Sequence, residues 1–247
     1  MVDFHTHVLP GIDDGSPDIT VTEAMLREEK RQGVDRVVAT PHFYADRDSI
    51  AHFLKKRDAA YEAVRKRAEE LGPDVFPALS LGAEVYFFPG IGLASQLPML
   101  TIDGGSTILL EMPFVQWTQE MYVNVQDILV KQKLHIVLAH IERYPEFQKD
   151  FSVWEKIMRL PVIPQINTGS FMKHKTGLFR KDKRRIFAMD YLKKHPRMIL
   201  GSDCHNLSGR KPNLAEGRRA IKEEIGAGAL ERIDRVTEEV LHDHFEA

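Results

Sequence analysis

Five histidines and four carboxylates in this chain stand at, or just past, the ends of short apolar runs. The opening is densest: His5 and His7 lie two apart, and Asp13-Asp14-Gly15 follows. On an extended strand a spacing of two puts both imidazoles on one face. Neutral imidazoles held side by side with acids nearby are the start of a metal site. His42, Glu84, Glu111, His140, Asp203 and His205 supply further donors, and Arg143 and Arg210 follow two of the same run ends. Mixed nitrogen and oxygen donors at matching positions point to bound metal ions.

The elements that must position these residues alternate. Apolar runs occupy 2–4, 36–40, 75–81, 107–110, 135–139, 162–166 and 198–201. Most are four to seven residues long and rich in Val, Ile and Leu, as parallel strands buried on both faces should be. Helical patterns lie between them. Ser16 and Pro17 read as N-cap and N1 of the first, and Gly33 as its stop. Ile50, Leu54, Tyr61, Val64, Ala68 and Leu71 line one face of the second, which stops at Gly72-Pro73. The stretches 121–132, 153–159, 183–194, 214–225 and 229–245 continue the alternation. Seven strand–helix repeats without a Pro-, Gly- or Ser-rich linker predict one domain, 1–247, with a closed or nearly closed parallel barrel; an open doubly wound sheet is the alternative.

In parallel α/β folds the active site lies at the carboxyl ends of the strands. Six of the seven runs end in a candidate ligand, and the sixth run ends in Asn167. Taken singly, each candidate has an ordinary role: a capping histidine, an acid paired with arginine, a turn residue at Asp14. Nine at one rim is a different matter. Zinc takes about four ligands and octahedral ions about six including waters, so nine side chains with a bridging carboxylate suit three ions. Nitrogen and oxygen donors without thiolate favour Mn, Fe or Zn over Mg or Ca. His52, His135, His174, His195, His242 and His244 fall outside the pattern and read as structural or surface residues.

Composition excludes several classes. A net charge of -2 offers no footprint for nucleic acid or an anionic membrane. One cysteine precludes an internal disulfide and fits a reducing compartment. The start has no basic and apolar leader, and no run approaches the roughly 18 residues of a membrane span. The expectation is a cytoplasmic protein.

The set HxH, Asp14, PH, Glu84, Glu111, AHIERYP and SDxH resembles the polymerase and histidinol phosphatase (PHP) superfamily. GIDDGSP, GVDRVVATPHF, GAEVYF, AHIERYP and SDCHNLSGRKP are similar, more narrowly, to the bacterial metal-dependent protein-tyrosine phosphatases of capsule and exopolysaccharide clusters. The resemblance runs from residue 1 to about 224. It implies a distorted TIM-like (β/α)7 barrel with three divalent ions, usually manganese, and a phosphotyrosine substrate on a bacterial tyrosine kinase. It places His5, His7, Glu84 and Asp203 at one ion, Glu84 with Glu111 and His140 at a second, and Asp14, His42 and His205 at a third. Arg143 and Arg210 match its phosphate-binding arginines. A hydroxide between such ions would attack phosphorus in line, and a tyrosine leaving group, with a pKa of about 10, needs little protonation. Phe43, Tyr44 and Tyr86 stand close to the ligands in sequence, where they would stack on a phenyl ring or simply pack the rim.

Three other readings have specific marks. Cys204 and Arg210 enclose five residues, the C-x5-R of cysteine-dependent phosphatases, in which a thiolate is the nucleophile. Its loop is poor in glycine, and Lys211 stands where Ser or Thr is usual. Histidinol-phosphate phosphatase is the rival within the superfamily, and a non-catalytic metal-binding module is the rival outside enzymes.

Overall fold

The computed structural model describes residues 1–173, 182–195 and 197–243. His174 and His244, and the end of the last helical stretch at Phe245, lie outside the described residues. All strands are parallel, in two sheets. The smaller contains β1 (Val2–Thr6), β2 (Arg36–Ala39) and β4 (Ala78–Leu81), in that order. The larger, a curled sheet of six, runs β3 (His42–Phe43), β5 (Glu84–Tyr86), β6 (Thr107–Glu111), β7 (His135–Leu138), β8 (Ile163–Asn167) and β9 (Ile199–Gly201).

The second and third apolar runs are each split in two. Pro41, which has no N–H to donate, separates β2 from β3, and Gly82-Ala83 separates β4 from β5. Backbone bonds from Gly82 to Ala39 (2.9 Å) and from Glu84 to Pro41 (3.0 Å) carry the pairing past both breaks. The seventh run meets the first through a bridge between Thr6 and Cys204, with Asp203 N–H donating to His5 at 2.8 Å and His7 N–H to Cys204 at 2.9 Å. The third run is shorter than its apolar pattern, since 75–77 lie outside β4.

Helices follow most strands: α1 (Ile19–Arg31), α2 (Ile50–Leu71), α3 (Gln119–Val130), α4 (Ser152–Met158), α5 (Lys183–Lys194), α6 (Leu214–Glu224) and α7 (Ala227–Leu241). Among the described residues the strand–helix alternation is not strict. Between β5 and β6 the chain makes three 3-10 turns and no α-helix. This stretch contains three prolines and glycines in its first five residues after Phe88, which breaks any helical run. The first helix also starts later than expected. Its cap is Asp18, which accepts from Thr20 and Val21 N–H at 2.8 and 3.0 Å, while Ser16 is buried and donates to Asp18 O. The second ends at Gly72, φ 97°, as its pattern predicts.

Phe4, Val38, Leu109, Val137, Ile163 and Ile199, one from each of six strands, form a core cluster of their own, joined by Val236 and Val240 of α7. The opposite strand faces pack under the helices in a second cluster with Met25, Leu26, Ile128 and Ile157. Both faces are therefore largely apolar, with Asp3 of β1 and Gln165 of β8 as buried polar exceptions.

Candidate metal centre

The nine donors meet at the carboxyl ends of the strands. Glu84 is at the centre. Its Oε2 lies 3.2 Å from His5 Nε2, 3.3 Å from His7 Nε2 and 2.9 Å from His42 Nδ1. Its Oε1 lies 2.9 Å from His140 Nε2, which is 3.3 Å from Glu111 Oε1. Asp203 Oδ1 sits 3.6 and 3.4 Å from the His5 and His7 Nε2 atoms. Asp14 Oδ1 is 3.5 Å from His42 Nε2 and 3.4 Å from His205 Nε2. Three groupings have donors close enough to share an ion: His5, His7 and Glu84; His42, Glu84 and Glu111; and His7, Asp14, His42 and His205. The first holds three of the four residues the resemblance gives one ion and lacks Asp203. The second has His42 beside Glu111 where His140 was expected, although His140 touches both acids, and the third adds His7.

These donors fit cations. Ligands about 2.0–2.2 Å from a small divalent ion stand roughly 3.0–3.5 Å from each other, the spacing seen here. Glu84 Oε2, His42 Nδ1 and His205 Nε2 are buried without an aligned hydrogen bond. The imidazoles are also oriented from behind. His7 Nδ1 faces Asp13 Oδ2 at 2.7 Å, His5 Nδ1 faces Gln165 Oε1 at 3.1 Å, and His205 Nδ1 faces the Asp203 carbonyl at 3.0 Å. A proton held on each Nδ1 leaves the Nε2 lone pair turned inward, the arrangement metal-ligating histidines use.

Without ions, the charges compensate one another. Burial works against ionised Glu84 and Asp203, but His5, His140 and His42 around Glu84, and His5 and His7 around Asp203, hold both well below the usual carboxylate range. Burial likewise opposes charge on His140, yet Glu111 and Glu84 outweigh it and raise the imidazole to about 10. His205 goes the other way, to about 4, through burial and the nearby His7. A cluster tuned this far by its own partners is the usual mark of a functional site.

Local backbone detail places the ligands. Strict alternation would put His5 on the face of Asp3, which meets Glu29 of α1. The register of β1 against β2 slips between Asp3 and Thr6, and His5 turns to the cluster. His140 (φ 30°) and Asp203 (φ 55°) both adopt left-handed backbone, costing about 1–3 kcal/mol each for residues with a Cβ. Gln165 Oε1 accepts His140 N–H at 2.7 Å, which helps hold that strain. Gly15 and Gly201 back onto the first histidines: a Cβ at Gly201 would lie 2.5 Å from His5 Cβ, and one at Gly15 2.2 Å from His7 O.

Asp13 and Gln165 are supporting residues that run-end reasoning passes over. Asp13 stands beside a chosen ligand and reads as a turn residue. Gln165 lies inside a strand, two residues before the run end, where only tertiary contact gives it a role. Its Nε2 donates to Asn167 Oδ1, and Asn167 Nδ2 donates to Asp203 Oδ2, both at 2.9 Å.

The two arginines line the open side. Arg210 donates to Asp203 Oδ1 at 2.6 Å and lies 3.9 Å from Asp14. Arg143 NH1 is 3.6 Å from Asp203 Oδ2, and its guanidinium lies over Phe114 at 4.6 Å. Tyr44 and Tyr86 are neighbours at the rim, 5.4 Å apart. Phe43 does not join them: it is 2 % exposed and packs edge-on against Phe53, so it belongs to the core. Of the other histidines, His52 pairs with Asp48 and His195 stacks on Tyr191, away from the centre.

Cys204 is no nucleophile. It is fully buried, its Sγ faces Glu29 Oε1 at 3.6 Å, and burial with Glu29 and Asp3 nearby pushes the thiol well above its ordinary value. Thiolate chemistry needs the reverse.

The comparisons with known proteins agree on one group. The family described as "Capsular polysaccharide synthesis, CpsB/CapC" matches over residues 1–241. The tyrosine-protein phosphatase CpsB of Streptococcus pneumoniae is 26% identical over 238 residues, 92% of each chain. The tyrosine-protein phosphatase YwqE of Bacillus subtilis is 26% identical over 234 residues, covering 92% of this chain and 86% of that one. A solved structure from work on YwqE of Bacillus subtilis and CpsB of Streptococcus pneumoniae, described there as metal-dependent tyrosine phosphatases, has a TM-score of 0.79 at 24% identity, over 98% of this chain and 95% of that chain, and establishes the fold. More distantly, the phosphotriesterase homology protein from Escherichia coli shares the fold at a TM-score of 0.53, 15% identity and 94% coverage of each chain. On the strength of a match running nearly end to end, the chain belongs to the CpsB/CapC family of capsular polysaccharide synthesis.

Proposed function

We propose that this protein is a metal-dependent protein-tyrosine phosphatase that holds three divalent ions, manganese in the working enzyme, and acts on phosphotyrosine of a bacterial tyrosine kinase in capsule or exopolysaccharide synthesis. The observation that carries it is the gathering of nine nitrogen and oxygen donors at one rim, four histidines of the set lying against Glu84, with Arg143 and Arg210 beside Asp203. The names and the metal dependence of CpsB and YwqE support it.

The roles follow from position. His5, His7, Glu84 and Asp203 would hold one ion, Glu84, Glu111 and His140 a second, and Asp14, His42 and His205 a third. When bound, such ions supply activated water at neutral pH and neutralise phosphate oxygens. Arg143 and Arg210 bind the remaining oxygens as charged, forked donors, strongest where charge builds in the transition state. Asp13 and Gln165 keep His7 and His5 in the tautomer that binds. We also read the two sheets, joined by the bonds between Thr6 and Cys204 and past Pro41, as one closed seven-run barrel forming a single domain over 1–247. Among the described residues no helix is long and apolar enough to cross a membrane, and the proposed location is the cytoplasm.

The decisive experiment is metal analysis of the purified protein with activity on a phosphotyrosine peptide before chelation, after it, and after add-back of manganese. Activity that survives verified removal of the ions refutes the proposal.

A further inference from the structure

Resting on the phosphatase reading above, we infer that the cavity between Tyr44 and Phe114, with Tyr86 between them, seats the substrate's aryl ring. The cavity has a volume of about 580 Å³, and its lining includes Tyr44, Tyr86, Phe88 and Phe114 with Arg47 and Glu111. Glu111 is the link: one of the nine donors forms a wall of an aromatic pocket.

Tyr44 and Phe114 are each braced against a donor histidine. Tyr44 lies 5.2 Å from His42 and carries the Arg47 guanidinium over its ring at 4.3 Å. Phe114 lies 5.8 Å from His140, stacked, and carries Arg143 at 4.6 Å. His42 and His140 each touch Glu84 at 2.9 Å, from its two oxygens. The two aromatic walls thus flank one edge of the donor cluster. Rim aromatics with a purely structural role close into the core, as Phe43, Trp117 and Tyr144 do at 2 % exposure or less. Tyr44, Tyr86, Phe88 and Phe114 stay half-buried around open space.

The chemistry matches an aryl phosphate, which is charged at one end and flat and apolar at the other. Arg143 serves both ends, with Phe114 under its guanidinium and Asp203 beside it. The volume suits a ligand larger than one ring, leaving room for peptide on either side. The second cavity, across Tyr44, is about 430 Å³; Phe43 and Phe53 line it too, but Asp13, Asp14, Asp48 and Lys56 make its lining the more charged of the two.

The test uses the metal-loaded full chain and two separate variants, Tyr86→Ala and Phe114→Leu, the second keeping bulk for packing. kcat/KM on a phosphotyrosine peptide is expected to fall about tenfold in each. In Tyr86→Ala the inhibition constant of inorganic phosphate, which has no ring, is expected to move less than about twofold; Phe114→Leu, which takes the ring from under Arg143, is expected to weaken peptide more than phosphate, with metal content unchanged in both. Equal weakening of peptide and phosphate, or no change in either, overturns the aryl seat while leaving the phosphatase reading intact. A metal-loaded wild type that turns over no aryl phosphate overturns that reading first, and this inference with it.

Discussion

Gln165→Met tests whether the ligands are positioned from behind. Gln165 is fully buried. Its Oε1 serves His5 Nδ1 and His140 N–H, and its Nε2 holds Asn167, which holds Asp203. Methionine keeps the length and approximate volume and removes every one of these bonds. Two buried N–H groups lose their acceptor, at about 1–3 kcal/mol each, so the metal-free variant should be destabilised by roughly 2–6 kcal/mol. Losing the outer partner of a ligating histidine costs about 10–100-fold in metal affinity. At fixed manganese this removes about 1.4–2.7 kcal/mol of metal-dependent stabilisation. Urea denaturation with and without manganese separates the two losses, and chelator competition measures the affinity directly. Gln165→Glu, which retains an acceptor for both donors, should recover part of the stability. A Gln165→Met protein that binds manganese as tightly as the wild type would refute the positioning argument.

Three further outcomes are expected. Arg143→Ala and Arg210→Ala should each lower kcat/KM on a phosphotyrosine peptide by about 10²–10³-fold, since each removes a donor aimed at developing charge; metal analysis should find the ions retained, and their loss would count against a substrate role. Cys204→Ser should keep activity within a few-fold, and the native thiol should resist alkylation at pH of about 8 until the protein is unfolded, because it is buried and its pKa raised. In the metal-free protein, His140 is raised from 6.5 to about 10, so its contribution is fully present below about 6.5 and lost as pH rises through about 10. Glu84 and Asp203 are lowered, so theirs is present above their ordinary values of 4.5 and 3.8 and lost on acidification below them. Denaturation midpoints across that range should fall at both ends, and a midpoint that climbs steadily toward pH 10 would contradict the assignment.

Much of the donor set was legible because parallel strands write it plainly. Both faces of β6 and β7 are apolar, so their run ends stand out as the first place a Glu111 or His140 fits. Glycine-terminated α2 was equally plain, since a left-handed residue after an amphipathic stretch reads directly from Gly72. The start of α1 was missed by two residues because Ser16 and Asp18 are both good caps, and the choice turned on Ser16 being buried against Thr22. No helical stretch was read between 81 and 107, and the chain makes only 3-10 turns between β5 and β6. Phe43 looked like Tyr44 in sequence, but Phe43, in β3, points into the core while Tyr44, just past the strand, stays half-buried at the rim.

Donor chemistry, run-end position and the apolar strands are properties of the linear chain, because residue type and period are local. Those alone pointed to a rim where His5, His7 and their seven companions would gather, while the C-x5-R reading of Cys204 fell only to its burial in the structure. Which donors stand close enough to share an ion was decided only by tertiary structure. The β1 register slip, the left-handed His140 and Asp203, and the braces from Asp13 and Gln165 depend on neighbours up to 160 residues away. Metal geometry is set to tenths of an ångström, and that precision comes from packing and hydrogen bonds across the sheet, which spacing along one strand does not encode.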